Sequence, residues 1–106
     1  MAYDRWVVWN KERPTRKELT KLLLEYVDGA GEVTHPRGDG VFFINFPTLK
    51  PKPGPCEQQG RWIEVWHTDS SELDVKTRMQ DNFVNAVAEG LAKLIARHYR
   101  ASLDQE

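Results

Sequence analysis

Cysteine is nearly missing from this chain: Cys56 is the one thiol in 106 residues. An intramolecular disulfide is thereby excluded, and the composition suits a reducing compartment. No apolar run approaches the roughly 20 residues needed to span a bilayer. The opening Met1-Ala2-Tyr3-Asp4-Arg5 lacks the basic-then-apolar order of a signal peptide. A cytoplasmic location with no membrane contact is therefore expected. A charge excess of either sign is lacking too, since 15 Lys and Arg face 16 Asp and Glu, for a net −1. Dedicated duplex-DNA binders usually carry a strong positive balance that displaces counterions, so this balance argues against that class. There is no glycine-rich phosphate loop, because Gly38-Asp39-Gly40 joins two expected strands and opens no helix. Repeats and low-complexity tracts are likewise absent.

What the chain does have is an organising helix near its C-terminus. From Thr77 to Ala101, Met79, Phe83, Val84, Val87, Ala88, Leu91, Leu94 and Ile95 share one face at a period of about 3.6 residues. Thr77 and Gln80 have capping-box spacing, and Lys93, Arg97, His98 and Arg100 crowd the last turns, where the helix dipole favours cations. A glycine inside a helix costs about 1 kcal/mol against alanine, so Gly90 suggests the close approach of another backbone. A second helix opens at Pro14-Thr15 with the capping box Thr15–Glu18. It continues through Leu19, Leu22, Leu23, Tyr26 and Val27 and stops at Asp28-Gly29-Ala30-Gly31.

Strands are expected at Arg5–Trp9, at Glu32–His35, at Val41–Phe46 and at Arg61–His67, with a short return strand at Leu73–Val75. Pro47, Pro51, Pro53 and Pro55 make the segment 47–60 an extended, partly polyproline-like loop. Within it, Pro47-Thr48-Leu49-Lys50-Pro51 has the outline of a ligand for aromatic-grooved domains. The fold class is α+β: a single domain over 1–106 with a mainly antiparallel sheet of four or five strands. Two helices pack on one face, in the order β-α-β-β-β-(β)-α.

Four Trp in so short a chain pose the main functional question. Side chains alternate along a strand, so Ile63 and Val65 share one face while Trp62, Glu64 and Trp66 share the other. The helices take the aliphatic face, which leaves the two indoles and the carboxylate on the bare one. Phe43, or alternatively Phe42 and Phe46, extends this patch, and only one of Trp6 and Trp9 can join it. Exposed aromatic patches mark binding sites, whereas a covering loop or a homodimer would bury them. Beside them, Asp74, Arg78, Asp81, Asn85 and Glu89 form a polar stripe. Asp81, Asn85 and Glu89 stack at i, i+4, i+8, either as a solvated face with an Arg78–Asp81 pair or as a docking edge. Two carboxylates about 12 Å apart along a helix are too distant for paired acid–base work.

Other constellations carry less. His67-Thr68-Asp69, with Glu72 or Asp74 nearby, offers too few ligands at defined spacing for a metal site, and a turn-capping Asp69 with a solvated His67 is the simpler reading. Cys56, with His35, His67 or His98 as a base, sits in no nucleophile motif. The run Asp74-Val75-Lys76-Thr77-Arg78-Met79-Gln80-Asp81-Asn82-Phe83, continuing to Ala88-Glu89-Gly90-Leu91-Ala92, resembles the terminal helix of small uncharacterised bacterial and phage proteins. That resemblance transfers no site residue. It suggests by analogy of size and kind an inhibitor or immunity-type protein.

The reading is a non-enzymatic domain that needs no cofactor and no metal. It binds a protein partner, or a second copy of itself, through Trp62, Glu64 and Trp66, with Arg78, Asp81 and Glu89 as polar neighbours. One alternative is single-stranded nucleic-acid binding through the same rings plus Lys93, Arg97 and Arg100. The strand, however, offers Glu64 and only Arg61 beside the rings, which argues against it. The other alternative is a small metal-dependent or cysteine hydrolase using His67, Asp69 and Cys56.

Overall fold

A computed structural model describes residues 3–45, 62–78 and 81–104. They form β1 (Asp4–Val8), α1 (Arg16–Val27), β2 (Glu32–Thr34), β3 (Val41–Asn45), β4 (Ile63–Trp66), β5 (Glu72–Lys76), α2 (Asn82–Tyr99) and β6 (Ser102–Leu103). Every strand pairing is antiparallel, in the spatial order β2-β3-β4-β5-β1-β6. The α+β class holds, but with six strands among the described residues rather than four or five. The return strand at 73–75 is a full five-residue β5. After α2 the chain comes back beside β1 as β6, whose two residues are too few to show a period.

Alternation sorts the sheet into two faces. Val7, Phe42, Ile44, Ile63, Val65, Leu73 and Val75 all point to one side and are fully buried. Leu19, Leu22, Leu23 and Val27 of α1 close over them, together with Val84, Ala88, Leu91, Ala92, Ile95 and Ala96 of α2. Burying a large aliphatic side chain contributes about 1.5–3 kcal/mol, so this face is where the fold's apolar stabilisation lies. The connections follow from it. α1 carries the chain from β1 to the far edge at β2, and α2 carries it from β5 to β6, both on the apolar side. Among the described residues no helix is long and apolar enough to cross a membrane.

The first helix starts where its capping box places it. Glu18 N donates to Thr15 Oγ1 at 3.1 Å and Thr15 N donates to Glu18 Oε1 at 2.8 Å. Its end is shared by Asp28, which takes the left-handed conformation (φ 45°), and Gly29 (φ 78°). The second helix corrects the sequence expectation at its start. Asp81, not Thr77, is the cap: Asp81 Oδ1 accepts from Phe83 N at 3.0 Å and Val84 N at 3.1 Å. Thr77 belongs to the strand side: its N–H, which a capping box would give to the Gln80 side chain, donates to Tyr3 O at 2.9 Å and extends the β1–β5 ladder. Its hydroxyl instead accepts from Tyr3 N at 2.9 Å and donates to Asn85 Oδ1 at 2.7 Å. Met79 and Gln80, and with them the proposed capping partner, lie outside the described residues, as do Phe46, Arg61 and the segment 47–60. Phe83, expected on the apolar face, is 51 % exposed, although its neighbour Val84 in the same turn is fully buried. The helix ends at Tyr99, and Arg100 takes a left-handed conformation (φ 54°).

Gly90 also departs from expectation. Outside its own helical turns, no atom of the described residues lies within 4 Å of the position a Cβ would take there, so no second backbone among them approaches it closely. The residue is exposed and helical, and nothing offsets its conformational entropy. Gly90→Ala is therefore expected to stabilise the protein by about 0.5–1 kcal/mol, read as a raised urea midpoint at unchanged slope. A lowered midpoint would show that the site is occupied after all.

Candidate functional site

The face without helices carries two rows of side chains that cross four strands. One row runs Phe43, Glu64, Lys76, Asp4 and the other Val41, Trp66, Asp74, Trp6, each residue paired with the next across the ladder. Trp62, just before β4, stacks on Phe43 with ring centroids 5.5 Å apart and planes 20° from parallel. Of the two N-terminal indoles it is Trp6 that joins this face. Trp9 packs edge-on against Tyr99, 5.8 Å between centroids, on the helix side.

Glu64 is the centre of the arrangement, at 1 % exposure. Trp62 Nε1 donates to its Oε2 at 2.9 Å and Trp66 Nε1 to its Oε1 at 2.8 Å. Arg78 grips the same carboxylate from outside, Nε to Oε2 at 2.8 Å and Nη2 to Oε1 at 3.0 Å. A buried charge is tolerable only when paired and hydrogen-bonded, and here four donors converge on two oxygens. Burial pushes the Glu64 carboxyl up, but the bonds from Arg78, Trp62 and Trp66 outweigh it and hold the group below its ordinary value. Both indole N–H groups are thereby used, and the half-buried rings present apolar surface in fixed orientation.

Next to Trp66 lies a pocket of about 260 Å³ lined by Asp4, Trp6, Trp66, Thr68, Asp69, Glu72, Asp74 and Lys76. Asp74 is only 5 % exposed. Lys76 Nζ lies 3.3 Å from its Oδ2, while Oδ1 has no hydrogen-bond donor. Burial, then the hydrogen bond and charge of Asp4, push Asp74 up to about 7, against the opposing pull of Lys76. Lys76 Nζ also stands 5.0 Å from the centroid of the Trp66 ring, and the Arg78 guanidinium 6.0 Å from it.

Of the residues expected at a site, Trp62, Glu64, Trp66 and Arg78 come together here. Glu64 serves as the internal anchor, since it has almost no surface to offer. Asp81 and Glu89 belong elsewhere. Asp81 is a buried helix cap, and Glu89, on the helix side, accepts from the Tyr3 hydroxyl and pairs with Arg5 and Lys93, each at 3.2 Å. The expected stripe is thus divided: Asp74 and Arg78 lie on the helix-free face, Asp81 caps α2, and Asn85 and Glu89 tie α2 to Thr77, Tyr3 and Arg5. Lys93, Arg97 and Arg100 lie on α2 and its cap, across the sheet from the indoles. A broader groove of about 850 Å³ follows the outer side of α1 past Arg16, Lys17, Lys21 and the 51 % exposed Leu24, and holds none of these residues.

The metal and hydrolase set does not assemble among the described residues. His67 is buried rather than solvated, its Nε2 3.0 Å from Pro14 O, and burial followed by the charge of Arg13 lowers its pKa. Asp69 Oδ1 accepts from Ser71 N and Oγ, both at 2.8 Å, as a turn cap should. Cys56 lies outside the described residues, and no group of three or more His, Cys, Asp or Glu among them could hold a metal ion. What sequence reasoning missed is the pocket. Its signal was the polar–apolar alternation of Asp4-Arg5-Trp6 and of Glu72-Leu73-Asp74-Val75-Lys76, which becomes a site only once β1 is known to pair with β5.

Two substitutions separate the anchor from the pocket. Glu64→Gln is expected to cost about 1–3 kcal/mol at neutral pH and to shift tryptophan emission. The ionised form of Glu64 stabilises the fold fully above its ordinary 4.5 and ceases to do so as pH falls through its lower folded value. The deficit of the variant should therefore close on acidification. Asp74 has the opposite sign: the folded state holds its proton up to about 7 and the unfolded state only to 3.8, so stability falls as pH rises between them. Asp74→Asn should gain melting temperature over the unsubstituted protein as pH rises from about 4 to about 8, and a pH-independent difference would refute the assignment. Comparison of the chain with protein-family models, curated proteins and solved structures gives no match, so these side chains are what its chemistry is read from.

Proposed function

We propose that this chain is a non-enzymatic protein-binding domain that meets its partner with the helix-free face of the sheet and acts by steric blocking. The observation that carries the reading is the anchoring of Trp62 and Trp66 by one buried carboxylate. Ordering a side chain at an interface costs about 0.5–1.5 kcal/mol. Indoles already held in place avoid most of that cost, and Trp is among the residues that dominate interface energetics. With both N–H groups used internally, the rings are suited to fill an apolar pocket. Trp6 widens the patch, the buried Phe43 backs Trp62 by stacking, and Arg78, less than half exposed, forms part of the polar rim.

Single-stranded nucleic acid is favoured less by the same geometry. The cations nearest the rings, Lys76 and Arg78, are matched by Asp74 and Glu64, and Lys93, Arg97 and Arg100 lie on the other side of the sheet. Base-stacking platforms need unmatched positive charge beside the rings to track a phosphate backbone.

Affinity capture from the source lysate, with the immobilised full chain, tests the reading against two variants. Trp66→Ala removes a ring. Thr68→Arg adds bulk and charge at an exposed position on the rim and leaves the Glu64 bonds in place. A stoichiometric protein partner retained by the unsubstituted chain and lost by both variants is the expected result. Light scattering that shows a dimer broken by the same variants would assign the face to a second copy. Equal retention by all three, or salt-sensitive binding of single-stranded oligonucleotides, would overturn the proposal.

A further inference from the structure

The acidic pocket beside Trp66 has features that a merely solvated face does not need. Four carboxylates, those of Asp4, Asp69, Glu72 and Asp74, line it against one ammonium, that of Lys76. Asp74 is 95 % buried, being 5 % exposed, and its Oδ1 receives no donor. The group within hydrogen-bond reach of it, Asp4, is another carboxylate, which adds to the cost of a negative charge on Asp74 that Lys76 offsets only in part. Two indoles, Trp6 and Trp66, stand as walls, and an indole face attracts cations electrostatically. Lys76 already shows the mode of binding from within the chain, with its ammonium 3.3 Å from Asp74 Oδ2 and 5.0 Å from the Trp66 centroid. At about 260 Å³ the pocket lies below the usual range for drug-sized ligands and suits one side chain.

From this geometry we infer that the pocket takes a single cationic side chain, lysine or arginine, presented by the partner protein, whose charge meets Asp74 and Asp4 while its methylenes lie against Trp6 and Trp66. The inference rests on the proposed protein-binding reading and specifies the partner's chemistry: a basic residue beside an apolar pocket, the complement of this carboxylate-lined recess next to fixed indoles. Burial holds Asp74 up at about 7, so a cation seated beside it draws off that proton, and binding strengthens as pH rises through neutrality. The charged groups that face Asp74 are Asp4 from β1, Lys76 and Glu72 from β5, Asp69 from the turn before β5, and Arg78 just after it. Lys76 and Arg78 oppose an incoming cation, and Lys76 competes for the same oxygens.

The test uses the intact protein and small blocked probes, so it does not depend on finding the partner. Nα-acetyl-lysine and Nα-acetyl-arginine N-methylamides are titrated against isotope-labelled protein, with the norleucine analogue as the neutral control. The expected result is a saturable shift of the Trp6 and Trp66 indole N–H signals with both cations, none with norleucine, and none at Trp9. Asp74→Asn should weaken the cations by roughly fivefold, as loss of one of two facing carboxylates in a solvent-open recess does. Lys76→Ala should tighten them, and affinity should be higher at about pH 8 than at about pH 6. No saturable response in either the unsubstituted chain or Lys76→Ala, equal binding of norleucine, or indifference to Asp74→Asn would each overturn the inference. A partner captured through Trp66 alongside a silent probe titration would leave the protein-binding reading standing without this pocket. Probe binding without a protein partner would do the reverse.

Discussion

A carboxylate buried in the face of a sheet is the constraint on which the rest of the helix-free side depends. Glu64 would be intolerable at 1 % exposure without donors, and its four donors come from three residues spread over residues 62–78. Satisfying it fixes two indole planes and draws Arg78 back over β4. Because charge-assisted bonds are shorter and stronger than neutral ones, the cluster behaves as one unit. It stands on the side of the sheet opposite the aliphatic core, which secures the fold independently. The division of labour is clear from alternation alone: residues of one parity hold helices, and those of the other hold the polar and aromatic surface.

Much of this was legible in the chain. The capping box at Thr15–Glu18, the amphipathic run that follows it, and the opposed parity of Ile63/Val65 and Trp62/Trp66 are local patterns. Local patterns survive folding when burial agrees with them. The failures at Thr77 and Glu89 have a common cause. Thr77 and Gln80 have the spacing of a cap, yet Thr77 is claimed by Tyr3 of a strand more than seventy residues earlier. Asp81 and Glu89 look solvated at helical spacing, yet one caps the helix and the other meets Tyr3 and Arg5. For Thr77 and Glu89 a long-range partner, invisible in a window of ten residues, overrode a short-range preference, whereas Asp81 is a local cap, two and three residues from the N–H groups it accepts from.

The candidate site shows the same split. That Trp62, Glu64 and Trp66 share a face follows from the period of a strand, but that Glu64 binds both indoles follows from side-chain reach and burial, which no spacing reveals. The pocket formed by Asp4, Trp6, Asp74 and Lys76 depends on strand order, since β1 inserts between β5 and β6 rather than at an edge. Acidic residues outnumber basic ones seven to three in 57–89, a local bias in which no pocket is visible. Pairing with β1 adds Asp4 and Trp6 and turns a composition bias into a recess.

The outermost strands bear on how anything could attach. β2 has three residues and β6 has two. Margins so brief expose few free amide and carbonyl groups, and they offer little template for an incoming extended peptide to lengthen the ladder. Association by main-chain zippering is thereby disfavoured along both rims.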